Sequence, residues 1–590
     1  MATQESSRPE PLGRRPAAGV LRSVLGDNPK LALSIMLATA ILAMPLVVIV
    51  WSFVQPAAGQ TLGGLIDTVL PGYVANSALL SVYVGLGVAI IGTGSAWLVS
   101  ACDFPGRRVF EWLMVLPLAV PAYVMAYAYT EFLSHPGPVQ TLLRDVTGSG
   151  PRDYWFPRIR SLEGAALMFT LVLYPYVYLL ARTAFMTQSV AAFEAARVLG
   201  KTPWQAFQKV ALPMARPAIV IGIALALMET LADYGTVAHF AVPTFTTGIY
   251  RSWFSMGDRI AAAQLAGALL LFVFVLIWIE RIQRGRARYQ TQRRTQPIQR
   301  FELRGGAATG AFCFCALPLV LGFVVPVWML LDLAIGGGHS LFGPRYARFI
   351  SNSFLLATSA AAITVVIALA LSATQRLAKA PILAVAMRFA ALGYAIPGSI
   401  VAVGILLPFA GFDNALDAFM RERFGVSTGL LLTGSIVGLL FAYTVRFLAV
   451  ALAPVDSTFE RITPHMDEAA RVLGARKRRV FAAIHAPLLR GGILTGALIV
   501  FVDVMKELPA TLILRPFNFE TLATQAFRLA SDERLAEAAT PSLVIVAVGL
   551  LPVYLISRQI RKLGGNDPLA LTDLGHQGET RDLERDDAKA

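Results

Sequence analysis

The sequence predicts an all-α membrane protein of about twelve transmembrane helices, arranged as two homologous six-helix halves. Three observations lead there. The 590 residues are 56% hydrophobic and only 15% charged, with a mean hydropathy of +0.61, more apolar than a soluble chain tolerates. Apolar runs of about 20 residues, the length that crosses a bilayer as a helix, recur from end to end. A seven-residue segment is also repeated without change 274 residues along the chain. This composition excludes a cytosolic enzyme. The net charge of +14 does not point to nucleic acid, because the basic residues lie between apolar runs and not in one patch interleaved with aromatics.

Taken in order, spans are expected near 31–54, 75–101, 111–132, 163–185, 217–241 and 261–280, then near 306–335, 352–373, 381–411, 427–452, 491–513 and 540–558. The first run is too long for a signal-peptide core and reads as an uncleaved span. The organisation is thus a polar N-terminal segment 1–30, a first half 31–280, a basic linker 281–305, a second half 306–560 and a polar, Asp-rich tail 561–590 that reads as disordered. The linker carries Arg281, Arg284, Arg286, Arg288, Arg293 and Arg294, whereas the loop Gln55–Pro71 has no Lys or Arg. The positive-inside rule therefore places the linker, Arg107–Arg108 and both termini in the cytoplasm. One outer loop departs from the rule, with Arg144, Arg152, Arg158 and Arg160 partly balanced by Asp145 and Asp153. Of the three cysteines, Cys102, Cys313 and Cys315, only the last two are close in sequence, too close for a disulfide within one helix.

The exact repeat is Glu194-Ala195-Ala196-Arg197-Val198-Leu199-Gly200, which recurs at Glu468 to Gly474. Asn76-Ser77 and Asn352-Ser353 open corresponding spans, and Pro121 and Pro397 sit within corresponding spans, both at an offset of 276. Two halves in parallel orientation place a path between them.

Each copy of the repeat lies in a loop expected in the cytoplasm and continues to a proline, Pro213 or Pro487. Ala195 and Ala196, like Ala469 and Ala470, leave a surface small enough for close docking. Glu194 and Arg197 flank it with opposite charges three residues apart, and Gly200 or Gly474 supplies the turn that ends the helix. Thr202 and Pro203 then cap and start a second short helix.

On these residues the chain resembles the permease subunits of bacterial ABC importers, whose signature is Glu-Ala-Ala, a glycine four residues on and a Leu-Pro downstream. The first copy matches through Leu212-Pro213, and the second departs with Ala486-Pro487-Leu488. The resemblance implies the type I permease fold. It makes Glu194, Ala195, Ala196, Gly200, Pro213, Glu468, Ala469, Ala470, Gly474 and Pro487 the segments that couple to an ATP-hydrolysing subunit. A phosphate-binding loop in this chain is not expected. Ala195 to Thr202 ends in Gly-Lys-Thr, but Ala195 stands where the first glycine is needed, no strand precedes it, and the second copy lacks Lys-Thr. No catalytic residue and no cofactor is therefore expected in the chain, with ATP and Mg belonging to the partner ATPase.

Just beyond each repeat are four acids in matched positions, Glu229 and Asp233 in the fifth span and Asp503 and Glu507 in the eleventh. A spacing of four puts each pair on one face of a continuous helix. Glu229 lies ~18 Å along that helix from Pro217, near mid-membrane, where an acid is costly and usually faces a pathway. The alternative is structural, the carboxylates being protonated or paired with Lys506, Arg446 or a backbone amide opened by Gly235 or Pro509. Four acids around one axis suit a hard cation and repel an anion.

The stretches Glu229-Thr230-Leu231-Ala232-Asp233-Tyr234-Gly235-Thr236 and Asp503 to Thr511, followed by Arg515-Pro516-Phe517, look like the ferric-iron importer permeases. The fused architecture fits too, although thiamine permeases share it. The resemblance implies transient Fe3+ contact at Glu229, Asp233, Asp503 and Glu507, a periplasmic iron-binding protein that delivers the ion, two copies of an ABC ATPase and a bacterial inner-membrane location. Tyr123, Tyr127, Tyr174, Tyr176 and Tyr178 could add phenolate oxygens, though packing or interfacial roles are commoner for such residues. His239 stands near the first acid pair, with a structural role the expectation. The same machine with thiamine, a polyamine or an oxyanion as substrate is the alternative. An ion-coupled secondary carrier would also carry intramembrane acids but leaves the repeated segments unexplained.

Overall fold

Apolar windows with few charges satisfy their backbone groups most readily as helices in lipid, and helices dominate the computed structural model. It describes residues 29–55, 58–150, 153–187, 200, 202–284, 300–336, 343–378, 392–459, 462–474, 477–480 and 485–564. The expected N-terminal segment, most of the basic linker and the tail beyond 564 lie outside them. Among the described residues ten helices are long and apolar enough to cross a membrane, or eleven with one bent pair taken as a single span. The expected first span appears as Pro29–Trp51, whose apolar part Met36–Trp51 is shorter than those ten.

Prolines shape the departures from straight spans. Arg107–Ala119 and Ala122–Thr147 meet at 90°, with Pro121 extended at φ −60°, ψ 142°. The second half repeats the device: a 3-10 turn Leu392–Ala395 leads to Pro397, at φ −51°, ψ 139°, and the helix Gly398–Phe424 starts beyond it. A proline lacks the amide a continuing helix needs and disfavours helical geometry in the residue before it. The span expected at 381–411 is therefore interrupted, and its residues 381–391 lie outside the described ones.

Packing sorts the chain into two compact units, one of Met1–Trp51 with Leu356–Phe501, the other of Ser52–Leu355 with Val502–Ala590. Both draw on both halves of the sequence. In the first, Pro29–Trp51 packs on Gly398–Phe424, which packs on Ile436–Phe459. A Cβ at Gly404 would meet the Pro45 carbonyl oxygen at 2.5 Å, so only glycine lets these backbones approach so closely. Val455, Phe459, Ile462 and Leu489 form a core cluster in this unit.

In the second unit Leu70–Ala101, Leu162–Thr187 and Leu212–Ala232 pack together, with Gly222 held against the Val177 backbone. Val325–Gly336, from the opening span of the second half, packs on Leu535–Gly564 and on Ala122–Leu133. The end of the linker is fastened here as well, Phe301–Glu302 pairing in parallel with Cys102–Asp103. All three cysteines are free. Burial pushes the Cys102 thiol up to about 12, so it stays protonated and is a poor nucleophile or ligand.

Candidate functional site

Of the first repeated segment, Glu194, Ala195 and Ala196 lie outside the described residues. Gly200 is described, at φ +69°. The expected second helix begins as read: Thr202 and Gln205 cap each other reciprocally, amide to side chain at 3.3 Å both ways, and Pro203–Ala206 follows. A π-turn Phe207–Ala211 leads without a break into Leu212–Ala232, with Pro213 just after the turn.

The second copy forms the helix Pro464–Val472 and ends at Gly474, φ +76°. Glu468 is exposed, with the His465 ring 3.3 Å from its carboxylate. Ala469 faces out while Ala470 is buried, so the two alanines of the pair differ in exposure. Val472 and Leu473 are each 87% exposed, an apolar tip on a polar loop. Pro487 opens the following helix, Ala486–Met505.

The acids differ from expectation in a specific way. The helices of the fifth and eleventh spans stop at Ala232 and Met505, and short helices Gly235–His239 and Pro509–Leu514 follow each break. Glu229 and Asp503 stay on the long helices. Asp233 and Glu507 sit in the breaks, so neither pair shares a face of one continuous helix. Asp233, extended at φ −70°, ψ 143°, accepts from the Thr236 amide at 2.8 Å. Buried Glu507 accepts from the Ala510 amide at 2.8 Å and from the Thr511 amide and hydroxyl at 3.0 and 2.6 Å. Each thus fills the N-terminal, electropositive end of the short helix after it. Asp503 pairs with Lys506 Nζ at 3.0 Å, and that ammonium is also within electrostatic reach of Glu229. Arg446, the other cation considered as a partner, stacks over Phe447. Among the described residues no three His, Cys, Asp or Glu side chains are placed to hold one metal ion.

The breaks are packed tightly. A Cβ on Gly235 would lie 2.7 Å from Tyr123 Cβ and 2.8 Å from Leu508 Cδ2. Tyr250 donates to the Pro509 carbonyl, and its ring stacks on Tyr234 with centroids 3.7 Å apart. The matched asparagines tie down the segments beyond: Asn76 Nδ2 donates to Pro243 O at 2.9 Å, and Asn352 Nδ2 to Glu520 O at 3.0 Å. Each is followed by a threonine capping box, at Thr244 and at Thr521. The repeat of Asn-Ser was visible in sequence, but not this positioning role, because its partners lie about 170 residues away. His239, in the first short helix, contacts Thr130 Oγ1 through Nε2 at 3.1 Å and sits edge-on to Tyr127. Thr130 in turn lines a cavity of about 670 Å3, which Glu131, His135, Arg158, Arg160 and Glu533 also border.

Residues 89–289 match the family of binding-protein-dependent transport system inner membrane components. The chain is 25% identical to the Fe(3+)-transport system permease protein FbpB 2 of Haemophilus influenzae over 489 residues, 82% of this chain and 89% of that protein. It is 29% identical to the molybdenum transport system permease protein ModB of Escherichia coli over 202 residues, 32% of this chain and 85% of that one. With the E. coli sulfate transport system permease protein CysW it shares 30% identity over 161 residues, 27% of this chain and 52% of that protein. Residues 89–289 thus carry the permease domain of a binding-protein-dependent transport system, and the chain, multi-pass in the inner membrane, resembles along most of its length the fused two-half ferric-iron permeases of ABC importers.

Proposed function

We propose that this permease carries ferric iron inward, from a periplasmic iron-binding protein to the cytoplasm, driven by two copies of an ATPase that dock on the repeated segments. The extent of the likeness carries this reading. The similarity to the ferric permease runs over 489 residues, longer than either half, whereas the molybdenum and sulfate permeases match 202 and 161. The charge of the breaks supports it. In discontinuous membrane helices the half-helix N-termini are where anionic substrates are held, and here Asp233 and Glu507 already occupy those ends. An oxyanion would meet carboxylates, while a cation finds four of them against one lysine.

In this reading both termini face the cytoplasm, and ATP with Mg is handled on the ATPase, the permease itself catalysing nothing. Closure of the ATPase pair, transmitted through the repeated segments, switches the permease between outward- and inward-facing states. Glu229, Asp233, Asp503 and Glu507 pass the ion, Glu229 and Asp503 from the long helices and Asp233 and Glu507 from the breaks. The molybdenum and sulfate relatives, at slightly higher identity over shorter stretches, keep an oxyanion as the second reading.

The test is uptake of labelled ferric iron in cells expressing the chain with a co-encoded ATPase and binding protein, with molybdate, thiamine and spermidine as parallel labels. ATP-dependent iron uptake is expected, falling about 10-fold or more in Glu229→Gln with Asp503→Asn. Uptake of another label with iron ignored would overturn the ferric assignment and leave the importer. Full iron uptake by the double variant would remove the acids from the pathway.

A further inference from the structure

We propose that Tyr123 and Tyr127 supply phenolate oxygens to the ferric ion as it passes Asp233, forming a transient tyrosine–carboxylate site; the inference rests on the ferric reading above. Five tyrosines are candidate phenolate donors by sequence, and the structure separates them. Tyr174 Oη lies 3.9 Å from Met114 Sδ, Tyr178 Oη donates to Glu111 O at 2.8 Å, and Tyr176 lies within reach of Lys506. The hydroxyls of Tyr123 and Tyr127 are buried, at 4% and 2% residue exposure, and have no hydrogen-bond partner among the described residues. A buried hydroxyl left unpaired is costly, more so in lipid, and asks for an explanation.

Their surroundings give one. Tyr123 packs on the Gly235 backbone beside the break, within electrostatic reach of the Asp233 and Glu507 carboxylates. Tyr127 is one turn along the same helix, Ala122–Leu133, with Tyr123, Asp233 and Tyr234 in reach. Its ring centroid is 5.8 Å from that of Tyr123. Tyr123, Tyr127 and Thr130 fall at spacings of four and three and so share one face. That face runs from the break to Thr130, which lines the 670 Å3 cavity. In this proposal the ion passes along that face, from Thr130 at the cavity past Tyr127 to Tyr123 and Asp233.

Ferric iron is a hard ion that takes oxygen donors, and phenol oxygens combine that donor with an apolar body that tolerates burial. On binding, each phenol O–H bond breaks as an Fe–O bond forms. The proton leaves to water, and iron stays ferric throughout.

The test uses the full chain in lipid nanodiscs titrated with ferric nitrilotriacetate. Wild type is expected to develop a visible phenolate-to-iron charge-transfer band. Tyr123→Phe and Tyr127→Phe should each weaken ferric affinity roughly 10-fold, and the double variant should lose the band. Tyr174→Phe, an equally conservative change at a partnered phenol, should keep it. No band in wild type, or an undiminished band in a double variant that elutes as wild type, overturns the tyrosine site. Iron uptake measured in cells separates the two readings. Iron uptake that stays at wild-type level in the double variant overturns this site alone, whereas wild-type chain that moves another substrate overturns the ferric reading and this site with it.

Discussion

Glu507 shows how one carboxylate serves a broken membrane helix. The break before Pro509 frees amides that lipid cannot solvate, and Glu507 accepts from two of them and from the Thr511 hydroxyl. Removing a buried partner leaves the donors unsatisfied, at a cost of about 1–3 kcal/mol. Glu507→Ala should therefore lower the thermal midpoint of the purified chain. Glu507→Gln, which keeps one carbonyl oxygen for the amides, should lower it less. Equal midpoints for wild type and Glu507→Ala would deny the capping role. That these four positions are acidic was legible in sequence, and so was their match between halves. Their placement was not, because a spacing of four between acids imitates a helix face. The cues that outweigh it are Pro509, which has no amide to donate back to the helix that ends at Met505, and Gly235, whose missing Cβ lets the break seat against Tyr123.

The second repeated segment, and the stretch that follows the first, are where local structure was legible in sequence. Thr202 and Pro203 announced a cap and a first turn, and Gly474 announced a stop. Both are in the structure, with Gly200 and Gly474 at φ +69° and +76°. By contrast, the two-residue pairing of Phe301–Glu302 with Cys102–Asp103 is too short to leave a period in the sequence. At both glycines a Cβ would meet nothing within 4 Å. An L-residue there pays only the left-handed backbone strain, about 1–2 kcal/mol, and creates no clash. Gly200→Arg with Gly474→Arg should thus leave membrane insertion intact while placing bulk and charge at the docking loop, and co-purification of the ATPase should be lost. Gly200→Asn with Gly474→Asn, which accepts this backbone conformation, should retain it. Undiminished co-purification with the arginine pair would refute coupling through these loops.

At the scale of the molecule, the duplication read from sequence and the packing units differ in membership, and the difference is testable. Sequence similarity divides the chain at the linker, but the unit that holds Leu356–Phe501 also holds Pro29–Trp51. That first helix packs on Gly398–Phe424 through the close approach of Gly404 to Pro45. In the other unit Val325–Gly336 packs on Ala122–Leu133. Apolar patterning predicted each of these helices but carries no record of its partner, since every face of a membrane helix is apolar and lipid competes equally for it; packing of small residues decides. If each half supplies a helix to a unit built mainly from the other, the peptide bond at the linker is not what holds the halves together. Residues 1–290 and 291–590, expressed as separate chains, should then insert and co-purify in mild detergent. Gly404→Leu, which drives a side chain into the Pro45 carbonyl, should weaken that association without preventing insertion of either piece. Halves that insert but purify apart would show that the exchanged helices contribute little and that the linker does the joining.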